Sequence, residues 1–333
     1  MTSEYLEGTR GPFRNLVDYI LGITHEIWES RQVDRIRDYY APDTLIYTLG
    51  GLVNGAEAVV TNTRDTLAAF PDRLLLGDAV VWRRESPGVF YSSHRIGSPM
   101  TNLGASSFGP ATGRAVFVRT IADCLVENGV ITREWLVRDN FSLVQQLGLD
   151  VHAVAKRQAA QPLSAEHAAW LASERQRVLQ SRVSSTVAVA EFAANKVEAF
   201  ALAVLDTVWR TGDQSLLARH YAPYAVLHDS RAVASGLKAL ADHFGKLRSM
   251  LGDAAVSVDH CCVIPDGVDG YQVAVRWMLA GEHRGDAWGL APTRSPVSIL
   301  GVTHWQVVAG RIAAEWTIFD RLAVLANLYR AAS

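Results

Sequence analysis

Only three cysteines, Cys124, Cys261 and Cys262, occur in 333 residues. Three thiols without a C-x-x-C pair exclude a disulfide framework and a zinc knuckle, and they fit a reducing, cytoplasmic setting. No apolar run approaches the roughly 20 residues that span a bilayer. The stretch AFALAVL at 199–205 stops at Asp206. The opening MTSEYLEGTRGPF carries acids and no hydrophobic segment, so no secretory leader is expected. Neither sign of charge dominates: 32 basic against 34 acidic residues leave a net charge of -2. Nucleic-acid binders usually carry a basic excess, so no nucleic acid or membrane partner is expected. H-E-x-x-H and clustered histidines are missing, which argues against a metal. G-x-G-x-x-G, G-x-x-x-x-G-K-[ST] and G-x-S-x-G are missing too, which leaves no phosphate cradle and no nucleophile elbow. No cofactor is expected. What is present is an apolar fraction of 49%, enough to build cores and too much for a disordered chain.

The length is about twice a common domain, and the chain repeats itself. Trp28 and Trp209 stand 181 positions apart. The same step joins Tyr40-Ala41-Pro42 to Tyr221-Ala222-Pro223, Gly55 to Gly236 and Thr112 to Thr293. It also joins Gly129 to Gly310, and Glu134-Trp135 with Asp139 to Glu315-Trp316 with Asp320. One pair departs: His94-Arg95 resembles His283-Arg284 at a step of 189, which implies about eight extra residues in the first copy before Thr112. Two duplicated domains are expected, at 12–150 and 196–330, joined by a helical linker at 151–195.

Each copy begins with apolar residues at helical spacing, Leu16, Tyr19, Ile20, Ile23 and Ile27 in the first and Phe200, Val204 and Val208 in the second. Ala-Pro stops the helix. Strand-like runs follow, and Asn128-Gly129 and Ala309-Gly310 read as hairpin turns into a last strand. Helices first and antiparallel strands afterwards make an α+β pattern, distinct from alternating βαβ units.

The run GEHRGDAWGLAPTRSPVSI…VAGRIAAEW…D at 281–320 resembles the SnoaL-like polyketide cyclases of the nuclear transport factor 2-like superfamily. Those sequences carry a similar G-x-H-x-G, P-P-T, D-G-K-I and terminal D-x-x-x-x-L-x-Q-L-G series. The first copy supplies the ending in DNFSLVQQLG at 139–148, with YYAPD at 39–43 and AAFPD at 68–72. The resemblance implies two cone-shaped α+β barrels, helices packed in a strongly bent antiparallel sheet around a mostly apolar pocket. It also implies that the two copies pair as a pseudo-dimer within one chain, and it leaves homo-oligomers open. Family cyclases move a proton with an aspartate on the last strand and a histidine on its neighbour, without a cofactor. The matching positions hold Leu136 and Thr317 for the aspartate, and Ala122 and Thr303 for the histidine.

Other groups must then carry any proton transfer. Glu134 and Glu315 lie two residues before the missing acid and so on the same strand face; burial would raise their pKa, and an outward ion pair is the alternative. Asp139 and Asp320 either cap the following helix or serve as pocket acids. His94 and His283 stand as a duplicated His-Arg at a strand end, either a turn or a site for an anionic oxygen. Tyr47, Trp135, Arg138, His228, Asp229, Trp277 and Trp316 are candidate pocket contacts. The expected function is a cofactor-independent acid/base enzyme of cyclase, isomerase, lyase or hydrolase type, acting on a hydrophobic carbonyl- or ester-containing small molecule. The alternative is a binding or scaffold protein built from degenerate copies.

Overall fold

The computed structural model describes residues 12–181, 190–229 and 233–332. Most of the opening stretch and part of the expected linker lie outside these residues. The chain divides into two compact units, Met1–Val154 and Ala155–Ser333.

In the first unit, α1 (Leu16–Thr24) runs into a π-helical turn at His25–Glu29, and the short α2 (Ile36–Tyr39) follows. Pro42 has no amide proton to continue a helix, and the chain passes at Tyr40 into β1 (Tyr40–Tyr47). Then come β2 (Leu52–Asn54), α3 (Ala56–Ala69), β3 (Leu76–Ser86), β4 (Val89–Thr101), β5 (Ala115–Glu127), β6 (Val130–Arg138) and α4 (Asn140–Gln146). The sheet order is β2-β1-β6-β5-β4-β3, antiparallel except where β1 runs parallel to β6. The sheet is open, with β2 and β3 as edges, where a closed barrel would join them. Asn128 and Gly129 both adopt positive φ, 51° and 79°, the backbone that a two-residue hairpin demands of its turn. The apolar faces of α1 and the turn after it pack against the sheet: Tyr19, Ile20, Ile23 and Ile27 share one core with Ile36, Ile46, Val80, Phe90 and Ile131.

Past α5 (Val151–Ala159) and α6 (Ala165–Ser181), the second unit repeats the order. Its elements are α7 (Val197–Asp206), a π-helical turn at Thr207–Thr211, α8 (Gln214–His220), β7 (Tyr221–His228), β8 (Val233–Ser235) and α9 (Leu237–Ser249). They continue as β9 (Leu251–Pro265), β10 (Gly270–His283), β11 (Pro296–Val308), β12 (Arg311–Phe319) and α10 (Arg321–Ala331). The sheet order β8-β7-β12-β11-β10-β9 is that of the first unit. α6 belongs to this unit: Arg177 reaches the Asp259 carboxylate at 2.8 Å and the Ser257 hydroxyl at 3.2 Å on β9.

The strand register corrects one expectation. His94 stands opposite Ala122 across β4 and β5, and Val275 stands opposite Thr303 across β10 and β11. The step of 181 therefore holds through this region with no extra residues, and the counterpart of His94 is Val275. His283 matches Asn102 instead. The Asn102 carboxamide accepts from the Thr112 amide at 2.9 Å, and His283 Nδ1 accepts from the Thr293 amide at 3.1 Å. The two side chains tie down the same loop with different chemistry.

Candidate active site

β6 alternates its side chains across the sheet, so Glu134, Leu136 and Arg138 face inward together. They meet a cavity of about 690 Å³ in the first unit. Its walls are largely apolar, with Ile20, Ile23, Ile46 and Ile96 among them; exposed Asn62 and Asp65 of α3 and the loop at 105–108 form the rim. Leu136 and Ala122, the positions of the family's acid and histidine, face each other in register and both line the cavity. The carboxylate that remains on this face is Glu134.

Glu134 is buried, and its Oε2 accepts a hydrogen bond of 3.0 Å from the Tyr40 hydroxyl. Burial pushes its carboxyl up to about 7, against the opposing pull of the Tyr40 hydrogen bond and the Arg138 charge. The Tyr40 phenol is held well above its ordinary pKa by burial and by Glu134, so it stays a donor. A carboxyl that titrates near neutrality can both take and return a proton. His94 also lines the cavity; burial lowers it to about 4, so it stands neutral, and its Nε2 has no hydrogen-bond partner. It is two strands and two residues along from Glu134, about 12 Å by ordinary strand spacing and rise, so the two would touch different atoms of a ligand. His94 and Arg95 do not act as a pair: His94 is uncharged, and Arg95 turns to Asp78 at 3.8 Å.

Two arginines complete the polar lining. Arg138 ends β6, and Arg73, in the turn before β3, is almost fully buried with its guanidinium 4.7 Å above the Trp28 ring. Neither Tyr40 nor Arg73 was among the candidate site residues. Tyr40 had a signal all the same, since it and Glu134 keep the repeat's step together.

The second unit holds the same Tyr-Glu pair among larger side chains. Glu315 accepts from Tyr221 Oη at 2.5 Å, Trp305 Nε1 at 3.0 Å and Thr317 Oγ1 at 2.5 Å. Trp277 replaces Ile96, Trp305 replaces Cys124, Phe244 replaces Thr63 and Phe319 replaces Arg138, by the step of 181. The Trp277 ring packs on Trp209 at 5.2 Å and on Phe319 at 6.3 Å, and its Nε1 donates to Thr303 Oγ1 at 3.0 Å. A recess of about 500 Å³ beside Trp209, Arg210 and Arg248 includes neither Glu315 nor a histidine.

Several candidates fall elsewhere. Asp139 caps α4 by accepting from the Ser142 amide, and Asp320 caps α10 by accepting from the Leu322 and Ala323 amides; neither borders the first unit's cavity. Tyr47 stacks on Trp135 at 5.5 Å, and His228 on Trp316 at 4.7 Å. These pairs lie on the strand face opposite Glu134 and Glu315. Asp229 pairs with Arg321 at 3.3 Å. Of the named candidates, Glu134, His94 and Arg138 come together in one cavity. Among the described residues no three His, Cys, Asp or Glu side chains cluster as metal ligands would, and no helix is long and apolar enough to cross a membrane.

Solved structures of related shape each span about one copy. IdmH from Streptomyces antibioticus is 22% identical over 40% of this chain and 98% of its own, with a TM-score of 0.34. TsrD from Streptomyces laurentii is 18% identical over 42% of this chain and 99% of its own, with a TM-score of 0.36. A SnoaL-like polyketide cyclase from Agrobacterium tumefaciens is 19% identical over 40% of this chain and 98% of its own, with a TM-score of 0.34. Among curated proteins there is no match. The family model for SnoaL-like polyketide cyclases matches twice, at residues 19–147 and 199–328. With both copies matched and most of the chain covered, this protein belongs to the SnoaL-like polyketide cyclase family.

Proposed function

We propose that the first domain is a cofactor-independent acid/base enzyme and that Glu134 moves the proton. The substrate is a hydrophobic small molecule bearing a carbonyl or ester, seated against the isoleucine walls. Glu134 would take a proton from the carbon next to the carbonyl and return it to the product. Tyr40 holds the carboxyl in place, and neutral His94 offers one hydrogen bond farther along the ligand. The observation that carries this reading is the contrast between the duplicated glutamates. Glu134 borders an empty cavity with one donor on it, whereas Glu315 is saturated by three donors in a packed interior. Those donors and the tryptophans around Glu315 favour a scaffold role for the second domain.

The test uses 2-acetylnaphthalene in D2O, following deuterium entry into its methyl group by NMR. The wild-type chain should accelerate exchange, and Glu134→Gln should lower the enzymatic rate at least 100-fold, within the usual range for a general base. Glu315→Gln should leave the rate within about two-fold, since no ligand reaches it in this reading. Exchange undiminished in a folded Glu134→Gln chain, or abolished by Glu315→Gln alone, would falsify the assignment.

A further inference from the structure

Arg73 is 2% exposed, yet its contacts are a hydroxyl and a ring: Nε donates to Ser98 Oγ at 3.0 Å, and the guanidinium lies over Trp28. No carboxylate pairs with it among the described residues. A buried guanidinium without a counter-charge is costly. Here the cost is compounded, because Arg138 lines the same cavity and the two positive charges repel. Burial and Arg138 together hold Arg73 well below its ordinary pKa. Thr120 adds a buried hydroxyl on the same lining with no partner. The second unit relieves the arrangement by substitution. Ala254 stands in place of Arg73 and Phe319 in place of Arg138; both are buried, and Ala254 borders the recess beside Arg210 and Arg248. The two buried charges are thus particular to the first unit's cavity and absent from the matching positions of the second.

We infer that Arg73 and Arg138 form an anion-binding end of the cavity, and that the substrate carries a carboxylate, or a similar planar oxyanion, remote from its reacting carbonyl. This rests on the proposal that the Glu134 cavity is the substrate site, and it narrows the substrate class. Glu134 and Arg138 are four residues apart on one strand, about 13 Å at ordinary strand rise. A molecule engaging both ends is elongated, apolar in its middle and charged at one end. Guanidinium forks pair with carboxylates through two parallel hydrogen bonds, and desolvation in the cavity strengthens such a pair.

The probe is 6-acetyl-2-naphthoic acid, which has a ketone at one end and a carboxylate at the other; its methyl ester is the uncharged control. Binding is followed at pH 8 by calorimetry on the full chain. The wild type should bind the acid at least ten-fold more tightly than the ester. Arg73→Met and Arg138→Met should each cut that preference to less than three-fold while leaving ester affinity in place, which also reports an intact cavity. Glu134→Gln should keep the preference, so a failure of Glu134 as the proton carrier is read separately from a failure here. Equal affinity of the wild type for acid and ester overturns the inference without recourse to any variant. So does a preference that survives the double substitution.

Discussion

A carboxyl buried beside one phenol has a different pH behaviour from one exposed to water, and Glu134 is placed to show it. Its ordinary value of 4.5 rises to about 7 in the fold. Between those values the folded chain holds a proton that the unfolded chain has released. The native state binds more protons, so its stability falls as pH rises through this window. A shift of this size is worth about 3 kcal/mol when complete. His94 acts with the opposite sign: it stays neutral in the fold down to about 4, while an unfolded imidazole protonates below 6.5, so its contribution grows as pH rises from 4 to 6.5. The two slopes oppose each other in the wild type, and total stability conceals both. The difference between wild type and Glu134→Gln isolates the glutamate. In denaturant titrations the Gln chain should gain on the wild type by about 3 kcal/mol between pH 4.5 and pH 8. A difference that stays flat with pH means that Glu134 titrates near its ordinary value.

Strands β4 and β10 occupy the same place in the two sheets and treat the interior in opposite ways. On β4, Ile96 borders empty space, and opposite it on β5 stands Thr120. On β10, Trp277 fills that space, and its partner on β11 is Gly301. A methyl group on Gly301 would overlap the Trp277 ring, so the glycine is present because the indole is. Truncation should follow this packing. Trp277→Ala should cost about 3–5 kcal/mol, and Ile96→Ala, beside a cavity already open, should fall near the low end of the 2–5 kcal/mol usual for that change. Chemical denaturation measures both, and equal costs would remove the packing argument. This difference between the strands marks how far the sequence could be read. Elements were legible because Asn128-Gly129, Ala41-Pro42 and the spacing in α1 act locally. Alternation placed Glu134 on one strand face with Leu136 but left open whether that face was inward, which the fold decides. The fate of His283 was not legible, because a histidine that secures a loop and a histidine that binds a ligand look alike until Thr293 is beside it. Arg73 was hidden for the same reason: only the fold buries it against Trp28.

At the scale of the whole molecule, the duplication was plain in the sequence, while the division of labour was not. Aromatic landmarks such as Trp28 and Trp209 keep the frame, yet Trp277, a candidate pocket contact by sequence, packs on Trp209 and Phe319 in the fold. Volume decides between pocket wall and plug, and volume is a sum over side chains from every element. The first interior leaves about 690 Å³ open. The second interior spends the equivalent positions on two indoles and two phenyl rings. Both copies keep their Tyr-Glu pair, so a count of conserved-looking groups would give two sites per chain. Packing gives one. Calorimetric titration of the full chain with 6-acetyl-2-naphthoic acid should therefore saturate at one molecule per 333-residue chain. Opening the plug alone should not add a second equal site, because Ala254 and Phe319 supply no charge where Arg73 and Arg138 stand. A Trp277→Ala chain should thus still bind one equivalent of the acid with wild-type affinity, and any further binding should be weaker and indifferent to the carboxylate. Two equal sites in the wild type would mean that the indoles yield to ligand, and the assignment of catalysis to the first domain alone would fall with them.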